Sequence, residues 1–426
     1  MKILLTEGSG LTSRQVAARL AADGHEVGVL TSDPNCLCRF TRDVRRLHRV
    51  PRFGADPQAW WEAARSIHRE HGYDLLLPTQ EQVTVLSTAA AVGHDDRAGG
   101  DVTTVVPPFT GLAAVFDKVS AASTLARIGV PAPPTTVLRS PPEVAAWRTF
   151  PVFAKAAVGT ASSSVRRVAS PGELADAVAA WGGASDLTRD GVVVQEPVSG
   201  PLVMVQTVFD HGRLVAAHAN LRVLEGARGG TACKRSIVLP DLLAHLERLG
   251  RALDWHGALS ADAVAGPDGP LVIDVNPRLV EPMNAWWAGV DLVGAMVRVA
   301  RGEHPDRQPA GRPDVVTRQL LIALLGSSQH GGGRRDLVRL LRDARHGRGA
   351  FAPGAGSAVR EELRSVRRDP LGTLPAALAL ATGLVAPSTW QWFATGSVEH
   401  YAIGPDGWHA LRQRVAERGG AAERPR

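Results

Sequence analysis

Lysine is scarce in this chain of 426 residues: it occurs only at positions 2, 118, 155 and 234, and every other basic residue except histidine is arginine. The formal net charge is +6, yet no basic helix carries interleaved aromatic residues. The sequence therefore argues against a nucleic-acid-binding protein. Because a lysine ammonium is a compact point charge that arginine does not replace, each lysine in such a chain is a candidate for specific binding.

Cysteine is equally scarce, with Cys36, Cys38 and Cys233 as its only positions. An odd count with no signal sequence argues for a reducing compartment, and Cys-Leu-Cys without a second pair is a poor zinc motif. The first residues indicate a strand that runs into a turn rather than a signal peptide. We therefore expect a cytoplasmic protein.

The chain has one long apolar stretch, Thr373–Ala394, which is long enough to cross a bilayer. Pro375 and Pro387 interrupt it, and Trp390 and Trp392 lie near its end. We expect two buried or interfacial helices here, with a peripheral membrane contact through residues 373–394 as the alternative.

The first part of the chain alternates strand and helix patterns, which predicts a parallel sheet covered on both faces. The predicted strands are Lys2–Thr6, Glu26–Thr31, Tyr73–Pro78 and Val102–Val106, and the predicted helices are Ser13–Ala22 and Pro57–His71. Gly8-Ser9-Gly10 follows the first strand, but position 13 is serine, so the dinucleotide-binding fingerprint is incomplete and a tight turn is favoured. Glu81 follows the third strand, where open α/β sheets bind ligands.

From about residue 111 to 305 the pattern predicts an antiparallel α+β unit. Asp210-His211-Gly212 and Gly266-Pro267-Asp268-Gly269 separate pairs of strand-like runs and indicate two hairpins. The remainder, about 306–426, is expected to be mainly helical, with arginine-rich helices at Arg334–Arg345 and Ser357–Arg368.

Three features follow one another in the middle unit. The first is a pair of lysines, with Lys118 at the start of a helix and Lys155 in a strand. The second is a loop rich in glycine and serine from Gly159 to Ser164. Point charges and exposed backbone N–H groups are what a polyphosphate requires. Each feature taken alone is common in surface segments, but their order is less easily explained by coincidence.

The third feature is a carboxylate hairpin. Asp262 and Asp274 fall on adjacent strands, and Asn276 is two residues beyond Asp274, so all three side chains are predicted to share one face. Such oxygen ligands suit magnesium, and Arg278 continues the same parity. The hairpin therefore predicts a metal site beside a guanidinium that suits a phosphoryl group.

These residues resemble the motifs of the ATP-grasp superfamily over about residues 1–305. The resemblance implies α/β plus α+β architecture: a Rossmann-like domain (1–110), a two-lobed ATP-grasp domain (111–305) with a mobile lid lobe over about 130–194, and a helical C-terminal region (306–426). It implies ATP bound by Lys118, Lys155, Gly159, Ser162, Ser163 and a hinge made of Gln195, Glu196 and Val198. It also implies one or two Mg²⁺ ions, with Mn²⁺ as an alternative, on Asp262, Asp274 and Asn276.

The resemblance implies a ligase in which a carboxylate is activated as an acyl phosphate and then attacked by an amine, with Arg278 and Lys155 as catalytic groups. Amino acids or short peptides are the expected substrates, and the candidate substrate contacts are Arg222, Gly230, Thr231, Glu281 and Glu81. We also expect a homodimer. Two alternatives stay open: an ATP-grasp carboxylase that acts through carboxyphosphate, and a non-catalytic nucleotide-binding scaffold at a membrane. Leu202, where many members have an acidic residue for the ribose, motivates the second.

Overall fold

The computed structural model describes residues 1–93, 102–160, 164–354, 358–363, 369–394 and 396–422. Within them it has a mixed α/β architecture built on three sheets. Ser162 and Ser163 of the predicted loop lie outside the described residues.

The first sheet is parallel, in the order β3-β2-β1-β4. Ile3 and Leu5 of its central strand pack into one apolar core and Leu4 into another, so both faces are covered, as the alternating pattern predicts. The elements of this part are β1 (Lys2–Leu5), α1 (Leu11–Ala22), β2 (Glu26–Thr31), β3 (Arg46–Arg49), α2 (Pro57–Glu70), β4 (Leu75–Leu77), α3 (Val83–Val92) and α4 (Phe109–Ala113).

The prediction of a strand at Val102–Val106 is wrong. This segment is extended beside β4 and gives one backbone hydrogen bond, from the Leu76 N–H to the Thr103 carbonyl, but it forms no ladder. Pro107 and Pro108 follow it and have no N–H to donate, so pairing does not continue.

The second sheet is antiparallel, in the order β5-β8-β6-β7, and we call it the lid sheet. Its apolar side packs on three helices through a separate core that includes Val152, Ala154 and Leu174. The elements are α5 (Lys118–Ile128), which precedes the sheet, β5 (Thr135–Leu138), α6 (Pro141–Ala146), β6 (Val152–Ala156), β7 (Val165–Val168), α7 (Pro171–Ala180), α8 (Gly183–Asp190) and β8 (Val192–Gln195).

The third and largest sheet has the order β13-β12-β9-β10-β11-β14-β15. Both predicted hairpins are confirmed: β9 pairs with β10, and β12 pairs with β13. The elements are β9 (Leu202–Asp210), β10 (Arg213–Glu225), β11 (Thr231–Ile237), α9 (Pro240–Ala252), β12 (Gly257–Gly266), β13 (Gly269–Asn276), α10 (Met283–Ala288), α11 (Leu292–Ala300) and β14 (Val316–Arg318).

The last part is mainly helical in its described residues, but it also adds β15 beside β14. The prediction of a helix at Ser357–Arg368 is wrong for residues 358–363, the part that the structure describes, because residues 360 and 361 form strand β15. Arg360 belongs to a short edge strand whose partner, β14, is distant in sequence. The elements are α12 (Leu320–Gln329), α13 (Arg334–His346), β15 (Arg360–Glu361), α14 (Leu374–Val385), α15 (Trp390–Ala394), α16 (Gly396–Glu399) and α17 (Pro405–Ala422).

The C-terminal helices return to the first sheet. Trp408 of α17 is buried and its ring lies 4.5 Å from that of Phe116 and 5.7 Å from that of Phe109. In the segment before α17, the Ile403 N–H donates a hydrogen bond to the Glu81 carboxylate. The end of the chain therefore covers one side of the region where β4 ends.

The apolar stretch Thr373–Ala394 is divided as its prolines predict. Helix α14 ends at Val385, and a short 3-10 turn separates it from α15. In the described part of the chain, no helix has the length and apolar character needed to cross a bilayer.

Candidate functional site

A cleft lies between the lid sheet and the large sheet. It contains a cavity of about 430 Å³ and a neighbouring one of about 90 Å³. Lys118 and Asp274 line both cavities, so the two are adjoining parts of one site. The larger part is mostly apolar, whereas charged and polar side chains surround the smaller part.

The Lys155 side chain extends across the cleft from β6 of the lid sheet. It is 7% exposed, and its ammonium donates to the Gln195 carboxamide oxygen at 2.8 Å and to the Ile273 carbonyl at 2.7 Å. Burial lowers the pKa of Lys155, while the neighbouring charges of Asp274 and Asp262 oppose that shift. The alternative of a solvated strand lysine is excluded by this burial.

Lys118 reaches the same cleft from the first turn of α5. Asp117 caps this helix through the Ser120 N–H, and the Lys118 ammonium donates to the Gly159 carbonyl at 2.7 Å. Gly159 has φ +149°, and a Cβ there would lie 2.5 Å from the Ser164 Cβ, so only glycine fits. The structure thus brings Lys118, Lys155 and the start of the glycine-serine loop together.

The predicted oxygen trio also converges. Asp262 and Asp274 face each other in the β12–β13 ladder, and Asn276, on the same side, donates to Asp262 at 3.5 Å. Burial, followed by the nearby charge of Asp274, raises the pKa of Asp262 to about 7. A carboxylate pair that is costly to keep charged is stabilised by a cation, and hard oxygen ligands suit magnesium.

Arg278 and Glu81 line the smaller part of the cleft together with Asp274 and Asn276. Burial raises the pKa of Glu81, and the charges of Arg278 and Lys118 partly oppose this shift. Glu81 was predicted to lie near a ligand only from its position after a strand, and the fold brings it to the cavity that Asp274 and Asn276 of β13 also line.

The Glu7 carboxylate occupies the turn after β1. Glu7 accepts hydrogen bonds from the Ser9 N–H at 2.6 Å, the Gly10 N–H at 3.1 Å and the Ser13 hydroxyl. A Cβ on Gly10 would lie 2.7 Å from the Gln80 side chain. The N–H groups of Ser9 and Gly10, which precede α1, are therefore bonded within the chain, and the segment forms the tight turn that the sequence favours.

The predicted hinge only partly faces the cleft. Gln195 lines the larger cavity and links Lys155 to the Thr135 hydroxyl. The Glu196 N–H donates to the Pro134 carbonyl, and neither Glu196 nor Val198 is among the residues that line the cavity. The roles of Glu196 and Val198 in binding the adenine base of ATP remain predictions.

The predicted substrate residues are dispersed. Arg222 pairs with Glu225 at 2.9 Å and donates to the Gly229 carbonyl, although its charge still acts on Asp262. Gly230 closes the β10–β11 turn and Thr231 begins β11. The Glu281 carboxylate is bound by Lys234 at 2.5 Å and by Gln319.

Lys234 was given no role from the sequence, and in the structure it is not among the residues that line the two cavities of the cleft. It is 1% exposed and pairs with both Glu281 and Glu362, the latter at 2.9 Å. Burial opposes the charge, but the two carboxylates outweigh it and raise the pKa of Lys234. The sequence feature that pointed to Lys234 was the scarcity of lysine, since the chain contains only four.

The site therefore combines two ammonium groups, a guanidinium and a trio of oxygen ligands around one cleft. Such a set can hold a polyphosphate with a divalent cation, since the ammonium groups offset phosphate charge and the trio faces the same space. The mostly apolar larger part can accept a flat ring.

Comparison with known proteins gives structural matches only. No protein-family model matches the chain, and no curated protein sequence does. The biotin carboxylase–β,γ-ATP complex from Campylobacter jejuni matches at TM-score 0.59 and 17% identity, over 74% of each chain.

Two further structures match over a similar share. The Hydrogenobacter thermophilus 2-oxoglutarate carboxylase biotin carboxylase domain dimer, in complex with MgADP, ADP and bicarbonate, has TM-score 0.57 and 17% identity, over 74% of this chain and 73% of that one. The L-amino acid ligase from Bacillus licheniformis has TM-score 0.55 and 16% identity, over 74% and 78%. Identities this low carry the fold and nothing finer.

Proposed function

Because this chain has the ATP-grasp fold, we propose that it is an ATP-dependent carboxylate–amine ligase that forms an amide or peptide bond through an acyl phosphate. The observation that carries the proposal is the arrangement in the cleft: the Asp262–Asp274 pair and Asn276 on one sheet, with the Lys155 ammonium inserted from the other. The fold alone also serves carboxylases, so the reaction rests on the site.

ATP and Mg²⁺ fit the residues present. Asp262, Asp274 and Asn276 would hold one or two Mg²⁺ ions, and Lys118 and Lys155 would contact phosphate. The raised pKa of Asp262 supports this assignment, since a buried carboxylate pair gains most from a bound cation. Bound Mg²⁺ supplies charge neutralisation on the transferring phosphoryl group.

The reaction then follows from charge placement. A carboxylate oxygen of the substrate attacks the γ-phosphorus, the bond to the bridging oxygen breaks, and ADP leaves. Lys155 and Arg278 stabilise the negative charge that develops on the phosphoryl oxygens. An amine next attacks the acyl carbon, phosphate departs, and the amine proton is lost to solvent or a nearby base.

Amino acids or short peptides are the proposed substrates. Glu81 and Arg278 line the same small cavity, so one carboxylate and one guanidinium face a substrate that carries an ammonium and a carboxylate group, although Glu81 also accepts the Ile403 N–H. The match to an L-amino acid ligase agrees with this choice. Arg222, Gly230, Thr231 and Glu281 keep only the status of candidates, because their polar groups already bind the protein.

The carboxylase alternative is favoured by the matches to biotin carboxylases. ADP release by the full-length protein, measured across a panel of amino acids and separately with bicarbonate, distinguishes the two. Amino-acid-dependent ADP release with a ligated product supports the ligase. ADP release that needs bicarbonate and no amine would replace it with the carboxylase.

We further propose a peripheral contact with an anionic lipid surface. Leu371, Leu374, Leu378 and Val385 are exposed along α14 and the turn before it, and Val338 is exposed on the adjacent α13. The exposed face of α13 also carries five arginines: Arg334, Arg335, Arg339, Arg342 and Arg345. An apolar stripe beside a basic face fits anionic headgroups and the acyl region beneath them.

A homodimer is also proposed, since one matched structure is a domain dimer. Light scattering on the purified full-length chain tests it. A mass of one chain across the working concentration range would refute it.

A further inference from the structure

A second group of ligand side chains lies away from the cleft. Asp210 ends β9, His211 forms the turn to β10, and His256 immediately precedes β12. One ligand atom from each lies within 4.8 Å of the others. Asp210 lies six positions along β9 from Met204, the partner of Asp262, so the group is about 20 Å from the cleft.

Asp210 and His256 present unused ligand atoms to each other. The His256 Nδ1 lies 3.8 Å from the Asp210 Oδ1 and has no hydrogen-bond partner among the described residues. This separation is too long for a hydrogen bond. Two atoms that each lie about 2.0–2.1 Å from a zinc ion are at most about 4.2 Å apart, so the pair can share a metal without movement of the backbone.

His211 completes the group. Its ring stacks on that of His256 with centroids 4.2 Å apart, and its side chain is 62% exposed, so it is free to rotate toward a shared ion. A weak contact with Asp254 at 3.7 Å is the interaction that rotation would give up. The turn holds His211 at φ +46°, which fixes its backbone beside the other two residues.

The remaining carboxylate oxygen of Asp210 is already held. Its Oδ2 binds Arg213 and His304, each at 2.8 Å, which orients the carboxylate and leaves Oδ1 facing His256. Hydrogen bonds of this kind orient metal ligands in known sites. His304 therefore acts as a positioning residue rather than a ligand.

Asp210 is buried and His256 is half-buried, and the surroundings of each group shift its pKa. Burial, together with the neighbouring His211, lowers the pKa of His256, which keeps its imidazole neutral. Burial alone would raise the pKa of Asp210, but the hydrogen bonds from His304 and Arg213 outweigh it and lower the pKa, so the carboxylate is charged.

We propose that Asp210, His211 and His256 bind one divalent transition-metal ion, with zinc favoured. Two imidazoles and one carboxylate are a borderline ligand set that suits zinc and is poorly matched to magnesium or calcium. Water completes the coordination. The ion would join the β9–β10 turn to the connection between α9 and β12, and so stabilise the end of the large sheet remote from the cleft.

Calorimetric titration of the full-length, metal-free protein with zinc chloride, in excess Mg²⁺, tests the proposal. The Mg²⁺ competes for the oxygen ligands of the cleft and has little affinity for imidazole. We expect one zinc ion per chain in the wild type. We expect this binding to be lost in His256→Ala and retained in His346→Ala, which removes an exposed histidine on α13. Equal binding by all three proteins would refute the site.

His211→Asn and His304→Gln keep the test informative if His256→Ala fails to fold. Asparagine tolerates the left-handed backbone of the turn, so His211→Asn removes only a ligand. Loss of the positioning hydrogen bond in His304→Gln should weaken zinc binding by about 10- to 100-fold. Unchanged zinc affinity in both folded variants would overturn the assignment, whatever the ligase activity of either protein.

Discussion

The Lys155 ammonium, on the lid sheet, donates a 2.7 Å hydrogen bond to the carbonyl of Ile273, on the large sheet. Ile273 is adjacent to Asp274, so the contact that joins the two lobes also sets a positive charge beside the carboxylate pair. Asp274 in turn opposes the lowering of the Lys155 pKa by burial. The phosphate-binding and metal-binding halves of the proposed site are therefore mechanically and electrostatically linked.

Replacing Lys155 with methionine should weaken ATP binding by roughly 10- to 100-fold, because a hydrogen bond to a charged group contributes about 1.5–3 kcal/mol. Equilibrium binding of a fluorescent ATP analogue measures this without relying on turnover. Lys2→Met is the matched control, since Lys2 is exposed at the start of β1. Wild-type affinity in Lys155→Met would remove this residue from the nucleotide site.

Asp274→Asn should reduce ligase turnover by roughly 100-fold or more, because it removes a negative charge from the proposed magnesium site while keeping the side-chain shape. The rate of ADP release with a substrate amino acid measures the effect. Asp268→Asn, at the turn of the same hairpin, should keep full activity. If the two variants are equally active, Asp274 is not a metal ligand.

Arg278→Lys should lower kcat more than it raises the KM for ATP. Lysine keeps the positive charge but cannot form the paired hydrogen bonds that a guanidinium offers to phosphoryl oxygens. Steady-state kinetics separate the two parameters. A change confined to the KM for ATP would assign Arg278 to ground-state binding instead.

The stability of the protein should fall between pH 6.5 and about 4 in part because of His218. Burial lowers the pKa of His218 from 6.5 to about 4, and its ring binds the Asn284 carboxamide at 2.7 Å. In that window the unfolded chain takes up a proton that the folded chain excludes, so this contribution is complete above pH 6.5 and lost as the pH falls.

The free-energy loss assigned to His218 is about 3 kcal/mol over that window. Urea unfolding at a series of pH values, compared between wild type and His218→Gln, isolates it from the contribution of other histidines. The variant should show a shallower dependence by one proton. Identical slopes would mean that His218 titrates normally in the folded state.

Leu378→Asp should reduce co-sedimentation of the protein with vesicles that contain phosphatidylserine. The substitution places a charge in the apolar stripe of α14, where Leu378 is 56% exposed. Val238→Asp is the matched control, because Val238 is 55% exposed and lies outside the stripe. Failure of the wild type to sediment with these vesicles at low salt would end the membrane proposal.

Local sequence patterns determined the hairpins and which residues share a face. Because side chains alternate along a strand, the spacing of Asp274 and Asn276 placed them together, and the turn residues between the strands put Asp262 opposite. The same logic failed at Val102–Val106 and at residues 358–363, the described part of Ser357–Arg368, since a short extended segment is stabilised by partners that the local pattern does not contain.

Only the tertiary structure decided which distant residues meet. Lys234 pairs with Glu281 and Glu362, which lie 47 and 128 positions away, and Asp210 meets His304 across 94 positions. The periodicity of residues along a segment does not indicate such pairs, because they depend on how whole sheets and loops pack. The sequence by itself thus determined the local form of the cleft, whereas packing decided which charges are satisfied internally and which remain available to a ligand.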